Sequence, residues 1–118
     1  MTPDQVVAAY ARGLMQGGIT VTLRRYSGSG ESRTTTDAAN IRARLLGYAP
    51  EELVAPVQQG DSRVIVLAQD LADLSWPMPP RRGDAVIVSG KELLVENVDY
   101  NTRRIAGVLV AYDMQVRG

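Results

Sequence analysis

The chain has 118 residues, thirteen acidic and thirteen basic side chains, and neither Cys nor His, a length that supports one hydrophobic core and not two. The charge balance excludes a uniformly basic surface of the kind that grips nucleic acid tightly. The missing Cys and His exclude disulfides and thiolate or imidazole metal sites, and they remove the side chains most often used as nucleophiles and neutral-pH bases.

The first element reads as a helix over residues 3–16. Thr2 and Gln5 form a Thr-x-x-Gln capping box, Pro3 stands at the first helical position, and Val6, Val7, Tyr10 and Leu14 recur at helical spacing until Gly17-Gly18. From Ile19 the period becomes two. Ile19, Val21 and Leu23 alternate with Thr20, Thr22 and Arg24, as in a strand with one wet face. Ser27 to Glu31 is a Gly-Ser loop, and strand composition resumes at Arg33 and Thr34-Thr35-Thr36. Residues 37–46 fit two patterns. Asp37 can cap a helix carrying Ala38, Ile41 and Leu45, which local propensity favours, and Ala39, Ile41, Ala43 and Leu45 equally alternate as a strand. Residues 48–62 read as a long connection. Val64 to Leu67 is a short strand buried on both faces, and Trp76-Pro77-Met78-Pro79-Pro80 is a stiff linker that cannot sit in a central strand. Trp76 is expected to lie on the core and anchor that linker. Gly83-Asp84 turns into Ala85–Val88, Ser89-Gly90 marks a tight hairpin into Leu93-Leu94-Val95, and Asp99 to Thr102 is the next turn. In the last strand Val108, Val110, Tyr112, Met114 and Val116 alternate with polar and small residues.

Together these elements predict a mainly β fold: a small antiparallel β-barrel of five or six strands with an N-terminal α-helix and long interaction loops. The whole of 1–118 forms a single domain, with 1–18 the helix and 19–118 the barrel. No basic stretch followed by an apolar run opens the sequence, and no segment reaches the ~20 apolar residues of a membrane span. The chain is expected to be soluble when made, with no membrane partner.

Chemistry-bearing motifs are few. Glu51-Glu52 and the neighbouring Asp70 and Asp73 are the candidate carboxylate pairs, but a working pair is held across a cleft with one member buried. The Gly-Ser-Gly at 28–30 lacks the Lys and following helix of a phosphate loop. The reading is therefore not an enzyme, with no cofactor and no metal. Twelve of the thirteen bases are Arg, which suits forked contacts at interfaces and also follows from codon bias. Three pairs, Arg24-Arg25, Arg81-Arg82 and Arg103-Arg104, are candidates for phosphate or for acidic surfaces of neighbouring subunits, since alternation turns one member of a pair outward. On 47–62, Tyr48, Leu53, Val54 and Val57 are apolar groups without an alternating strand. With Glu51 and Glu52 they are the candidate subunit-interface residues of that loop.

A familiar grammar runs through several stretches. It comprises Gly47-Tyr48-Ala49-Pro50-Glu51-Glu52-Leu53, Gly60-Asp61-Ser62-Arg63-Val64-Ile65-Val66, Arg82 to Val95 (basic-Gly-Asp, strand, Gly turn, strand) and Gly107 to Gly118. In these the chain resembles the head-to-tail connector proteins of long-tailed phages and related prophage or gene-transfer particles, most of all the head-closure or stopper class. The resemblance implies a barrel in which 37–46 is a strand. It also implies a ring of copies of this chain, hexameric in that class, between a portal-adaptor ring on the head side and a tail terminator on the tail side. Such a ring retains packaged DNA, touches it transiently and without sequence preference, and offers the tail its docking surface. The implied location is the virion neck, after assembly in the bacterial cytoplasm. Deleting residues 49–58 is then expected to leave a folded monomer that no longer forms the ring. Another neck or tail component, an adaptor or terminator, or a nucleic-acid-binding barrel unrelated to phages, are the alternatives.

Overall fold

The computed structural model describes residues 2–28, 33–47, 60–100, 103–105 and 107–118. In chain order it contains α1 (Pro3–Leu14), β1 (Ile19–Ser27), β2 (Thr34–Gly47), β3 (Ser62–Leu67), α2 (Ala68–Asp73), β4 (Ala85–Val88), β5 (Lys91–Asp99), β6 (Arg104–Ile105), β7 (Val108–Leu109) and β8 (Ala111–Arg117). Six strands close an antiparallel barrel in the order β1-β2-β3-β8-β5-β4, with β4 returning to β1 through Thr22↔Ile87, Leu23↔Val86 and Arg24↔Ala85. Closure pairs the strand edges that would otherwise be left free in so small a sheet.

The capping box forms as the sequence predicts. The Gln5 amide donates to Thr2 Oγ1 at 3.2 Å, and the Thr2 amide donates to Gln5 Oε1 at 2.8 Å. The helix stops at Leu14, with Gly17 in the left-handed region at φ 78°. Val7, Tyr10, Ala11, Leu14 and Met15 lie on the outside of the barrel, against Ile65 of β3 and Ala111 of β8. That is why β3 carries a continuous apolar run: Ile65 meets the helix, and Val64 and Val66 fill the barrel.

Residues 37–46 are strand. β2 pairs with β1 from Ser27↔Thr34 to Ile19↔Ala43, then with β3 from Ala43↔Val66 to Gly47↔Ser62. Pairing along the whole segment, first with β1 and then with β3, overrides the helical propensity of Ala, Arg and Leu. The barrel interior is filled by Val21, Leu23, Ile41, Ala43, Val64, Val66, Val86, Val95, Tyr112, Met114 and Val116, all nearly inaccessible. The β4–β5 hairpin turns through Ser89 (φ 50°) and Gly90 (φ 82°) between the paired Val88 and Lys91. Two positive-φ central residues are the turn geometry that matches strand twist.

Two features depart from the sequence reading. First, the chain after β3 forms a six-residue helix, α2, whose Leu71 is fully buried and closes the barrel interior together with Trp76. Its N-cap is Leu67, which has no side-chain cap; the Ala68 amide instead donates to the Val110 carbonyl at 2.9 Å. Second, the alternation expected across 108–116 breaks at Val110. Val108 is exposed and pairs with Ile105 in the separate β6–β7 ribbon. Val110 packs under α1, not beside Tyr112, because its amide donates to Arg103 O and its carbonyl accepts from Ala68. The face therefore resets between Leu109 and Tyr112, both of which turn to the barrel.

Candidate functional site

The candidate interface residues separate into three fates. Tyr48, Glu51, Glu52, Leu53, Val54 and Val57 lie outside the described residues. Arg25 and Arg103 are engaged within the domain. Arg24, Arg81, Arg82 and Arg104 reach the surface.

Arg25 corrects the interface expectation. It sits on the inward face of β1 with Val21 and Leu23 and is only 7 % exposed. Its Nε and Nη2 donate to the two carboxylate oxygens of Asp84 at 2.9 and 2.8 Å. Nη1 donates to Pro77 O at 2.8 Å and Nη2 to Pro79 O at 2.9 Å. The guanidinium carbon also stands 5.4 Å from the Trp76 ring centroid. Asp84 in turn accepts from the Arg81 amide at 2.9 Å. One forked cation thus ties β1 to the proline-rich linker and to the start of β4. The Asp84 hydrogen bond holds the Arg25 pKa above its ordinary value, against the opposing effect of burial. This is a structural clamp, and its groups are not available to a neighbour.

Arg103 is half-buried. It donates to the Tyr10 hydroxyl and to Asp113 Oδ2, each at 3.3 Å, and so links the segment before β6 to α1 and β8. Asp113 also accepts both Nε and Nη2 of Arg63. The Tyr10 hydrogen bond is the main reason that the Arg103 pKa is raised. Arg104, its outward neighbour, donates to the carbonyls of Gly107 and Tyr100. Arg24 and Arg25 split by strand alternation within β1, whereas Arg103 turns inward from the segment before β6 and Arg104 outward from its first residue. Arg81 and Arg82 are both exposed because they stand in a turn; Arg82 approaches Glu96 at 3.8 Å.

The structure brings together groups that local sequence reading passes over. Asp61, buried, accepts from Gln115 and from Arg117, and the bond to Asp61 is the largest influence raising the Arg117 pKa. On the outside of the barrel Glu92 accepts from the Tyr26 hydroxyl at 2.8 Å and from Arg33 at 3.1 Å, while Arg33 stacks over the Tyr26 ring. The Tyr26 hydrogen bond, more than Arg33, pulls the Glu92 carboxyl below its ordinary value. Asp70 moves the other way, pushed up by burial and then by the nearby Asp73. The signal for Asp84 was present in the Gly83-Asp84 turn, but a partner 59 residues away on β1 is not a local property.

An open apolar groove of about 320 Å³ runs between α1, α2 and β7, with Val7, Ala72, Met78 and Val108 on its walls. Met78 and Val108 are about half exposed there. Among the described residues no three acidic side chains come together as a cation site. Nor is any helix of the described residues long and apolar enough to cross a membrane.

Compared with known proteins, the chain matches no family model and no curated protein.

Proposed function

We propose that this chain is a structural subunit of the neck of a tailed phage or phage-like particle: a head-closure protein that assembles into a ring between portal adaptor and tail. The observation that carries the reading is where the family-like stretches fall. Residues 60–66, 82–95 and 107–118 map onto β3, β4, β5, β7 and β8, and β3-β8-β5-β4 are consecutive strands of one closed barrel. Apart from β7, which belongs to the separate β6–β7 ribbon, these three stretches therefore form one continuous part of the wall. A barrel with paired edges must meet its neighbours through side chains and loops, as ring contacts between unlike patches of one chain require. The described polar clusters support the same reading, because each is an internal tie of a rigid block: Arg25-Asp84, Arg63-Asp113-Arg103 and Arg117-Asp61.

The test is location. Antibodies against the chain, applied to particles released by the bacterium that carries its gene, should place gold at the head–tail junction. Label over the capsid or the distal tail would overturn the reading. In the same system, deletion of 49–58 should yield a folded chain with the wild-type circular dichroism spectrum, and filled heads without joined tails. Normal tail joining by that variant would remove the loop from the interface.

A further inference from the structure

We infer that the outward face of the β1–β2 ribbon is a contact surface for the sugar–phosphate backbone of duplex DNA, used without reading base sequence. The inference rests on the neck reading for its biological setting and names the part of the subunit that would face the DNA.

It starts from which cations are already engaged. Arg25, Arg33, Arg63, Arg82, Arg103 and Arg117 are all in ion pairs. Arg24, Arg42 and Arg44 form none among the described residues, and all three lie on one side of the same ribbon. Arg24 alternates with the buried Leu23 and Arg25, and Arg42 and Arg44 alternate with the buried Ile41 and Ala43. Thr20 stands opposite Arg42 and Ala38 opposite Arg24, so register puts these residues on a common face. Between them Thr22 donates to Asn40 Oδ1 at 2.9 Å. From Arg44 to the level of Arg24 is six residues of strand, about 20 Å at the usual rise. Three arginines spread over that span can neutralise about three phosphates.

The chemistry of the row selects the partner. Forked guanidinium groups separated by hydroxyl and amide side chains are the donors that hold phosphate oxygens. A protein interface of any strength needs an apolar or aromatic centre, and Thr20, Thr22, Arg24, Ala38, Asn40, Arg42 and Arg44 offer none. Base readout is equally unsupported. Tyr26, the nearest aromatic residue, is held by Glu92 and covered by Arg33. Two acids adjoin the row. Glu92 is held mainly by Tyr26 and Arg33 and is near enough to Arg24 to feel its charge, and Asp70 shares a surface depression with Arg12 and Arg42. With so few phosphates engaged the contact is weak, which fits a channel that DNA must later leave.

The test is fluorescence anisotropy of the purified, nuclease-treated full chain with a labelled 20-base-pair duplex, from about 30 to 150 mM salt. Affinity should fall with salt with a log–log slope near −3, equally for duplexes of unrelated sequence, and Kd should stay weaker than about 1 µM at physiological salt. Arg24→Gln/Arg42→Gln/Arg44→Gln should lose about tenfold or more at low salt and flatten the slope. Arg42 also lies beside Gly18 at the end of α1, its Nε 3.1 Å from where a Cβ on that glycine would sit. Arg24→Gln/Arg44→Gln, which leaves that contact alone, should therefore show an intermediate loss with an unchanged melting temperature. Arg81→Gln/Arg82→Gln is the control and should stay within about twofold, since turn arginines lie off the row. Unchanged binding by the triple variant, an equal loss in the control, or a change in self-association in place of DNA affinity would each overturn the inference. Duplex binding through this face by a chain that locates away from the head–tail junction would keep the inference and sink the neck reading. The converse result would do the opposite.

Discussion

The Arg25–Asp84 clamp makes the sharpest quantitative prediction. In Asp84→Ala the guanidinium keeps its bonds to Pro77 O and Pro79 O but loses both carboxylate bonds, and the Arg81 amide loses its acceptor. Both partners are almost fully enclosed, with side-chain exposures of 9 % and 2 %, so water cannot replace what is lost. Breaking a buried pair from one side costs about 3–5 kcal/mol. A domain of this size has a total stability of about 6–18 kcal/mol. The single variant should therefore lose about a sixth of its stability or more, and about 10–20 °C in Tm. Arg25→Met leaves the carboxylate buried without its cation and should cost a similar amount. The double variant Arg25→Met/Asp84→Ala removes both charges and should be less destabilised than the sum of the singles by about 2 kcal/mol or more. Urea unfolding followed by circular dichroism, with equal m-values across the four proteins, measures the cycle. A single-variant loss below about 1 kcal/mol, or singles that add, would show that the clamp is wet and weak, as surface pairs are.

Other outcomes follow from the same structure. Gly90→Ala places a Cβ at φ 82° in a turn with open space around it, so the loss is purely conformational, about 1–2 kcal/mol by thermal unfolding; no loss would mean that the turn adopts another geometry. Because the folded pKa of Glu92 is depressed, chiefly by Tyr26, its contribution is present above the ordinary carboxylate range and lost as pH falls through the folded value. Tm plotted against pH should then show wild type and Tyr26→Phe converging in acid, and a gap constant from pH 7 to below 3 would contradict this. Asp70 has the opposite sign: its raised pKa, from burial first, means a penalty present at neutral pH and relieved as pH falls through the folded value. Asp70→Asn should match or exceed wild type at pH 7, within about 0.5 kcal/mol, and lose any advantage near pH 3; a clear loss of stability at pH 7 would show that the carboxylate has a favourable partner.

What the chain determines by local chemistry is legible without coordinates. The capping box and Pro3 set the start of α1, and Ser89-Gly90 set the β4–β5 hairpin, because each is decided within four or five residues. Alternation likewise showed that one of Arg24 and Arg25 must face outward. With Arg24 on the wet face it did not show what Arg25 would meet, because the answer is Asp84, brought alongside only when β4 closes the barrel against β1. Arg42 and Arg44, now central to the proposed DNA face, lay in a segment where helix and strand fitted equally well, so their direction had no meaning until β1 and β3 paired with β2. α2 carries no local signal, because its first amide is satisfied by the carbonyl of Val110 rather than by a capping side chain, and its one buried anchor, Leu71, is a plug for a cavity made by other strands. The break at Val110 has the same origin: its backbone bonds go to Arg103 and Ala68, and a period read along one strand cannot register bonds made to two other segments. Local propensity and pattern set the elements, and barrel closure decided which side of each strand became core, clamp or surface.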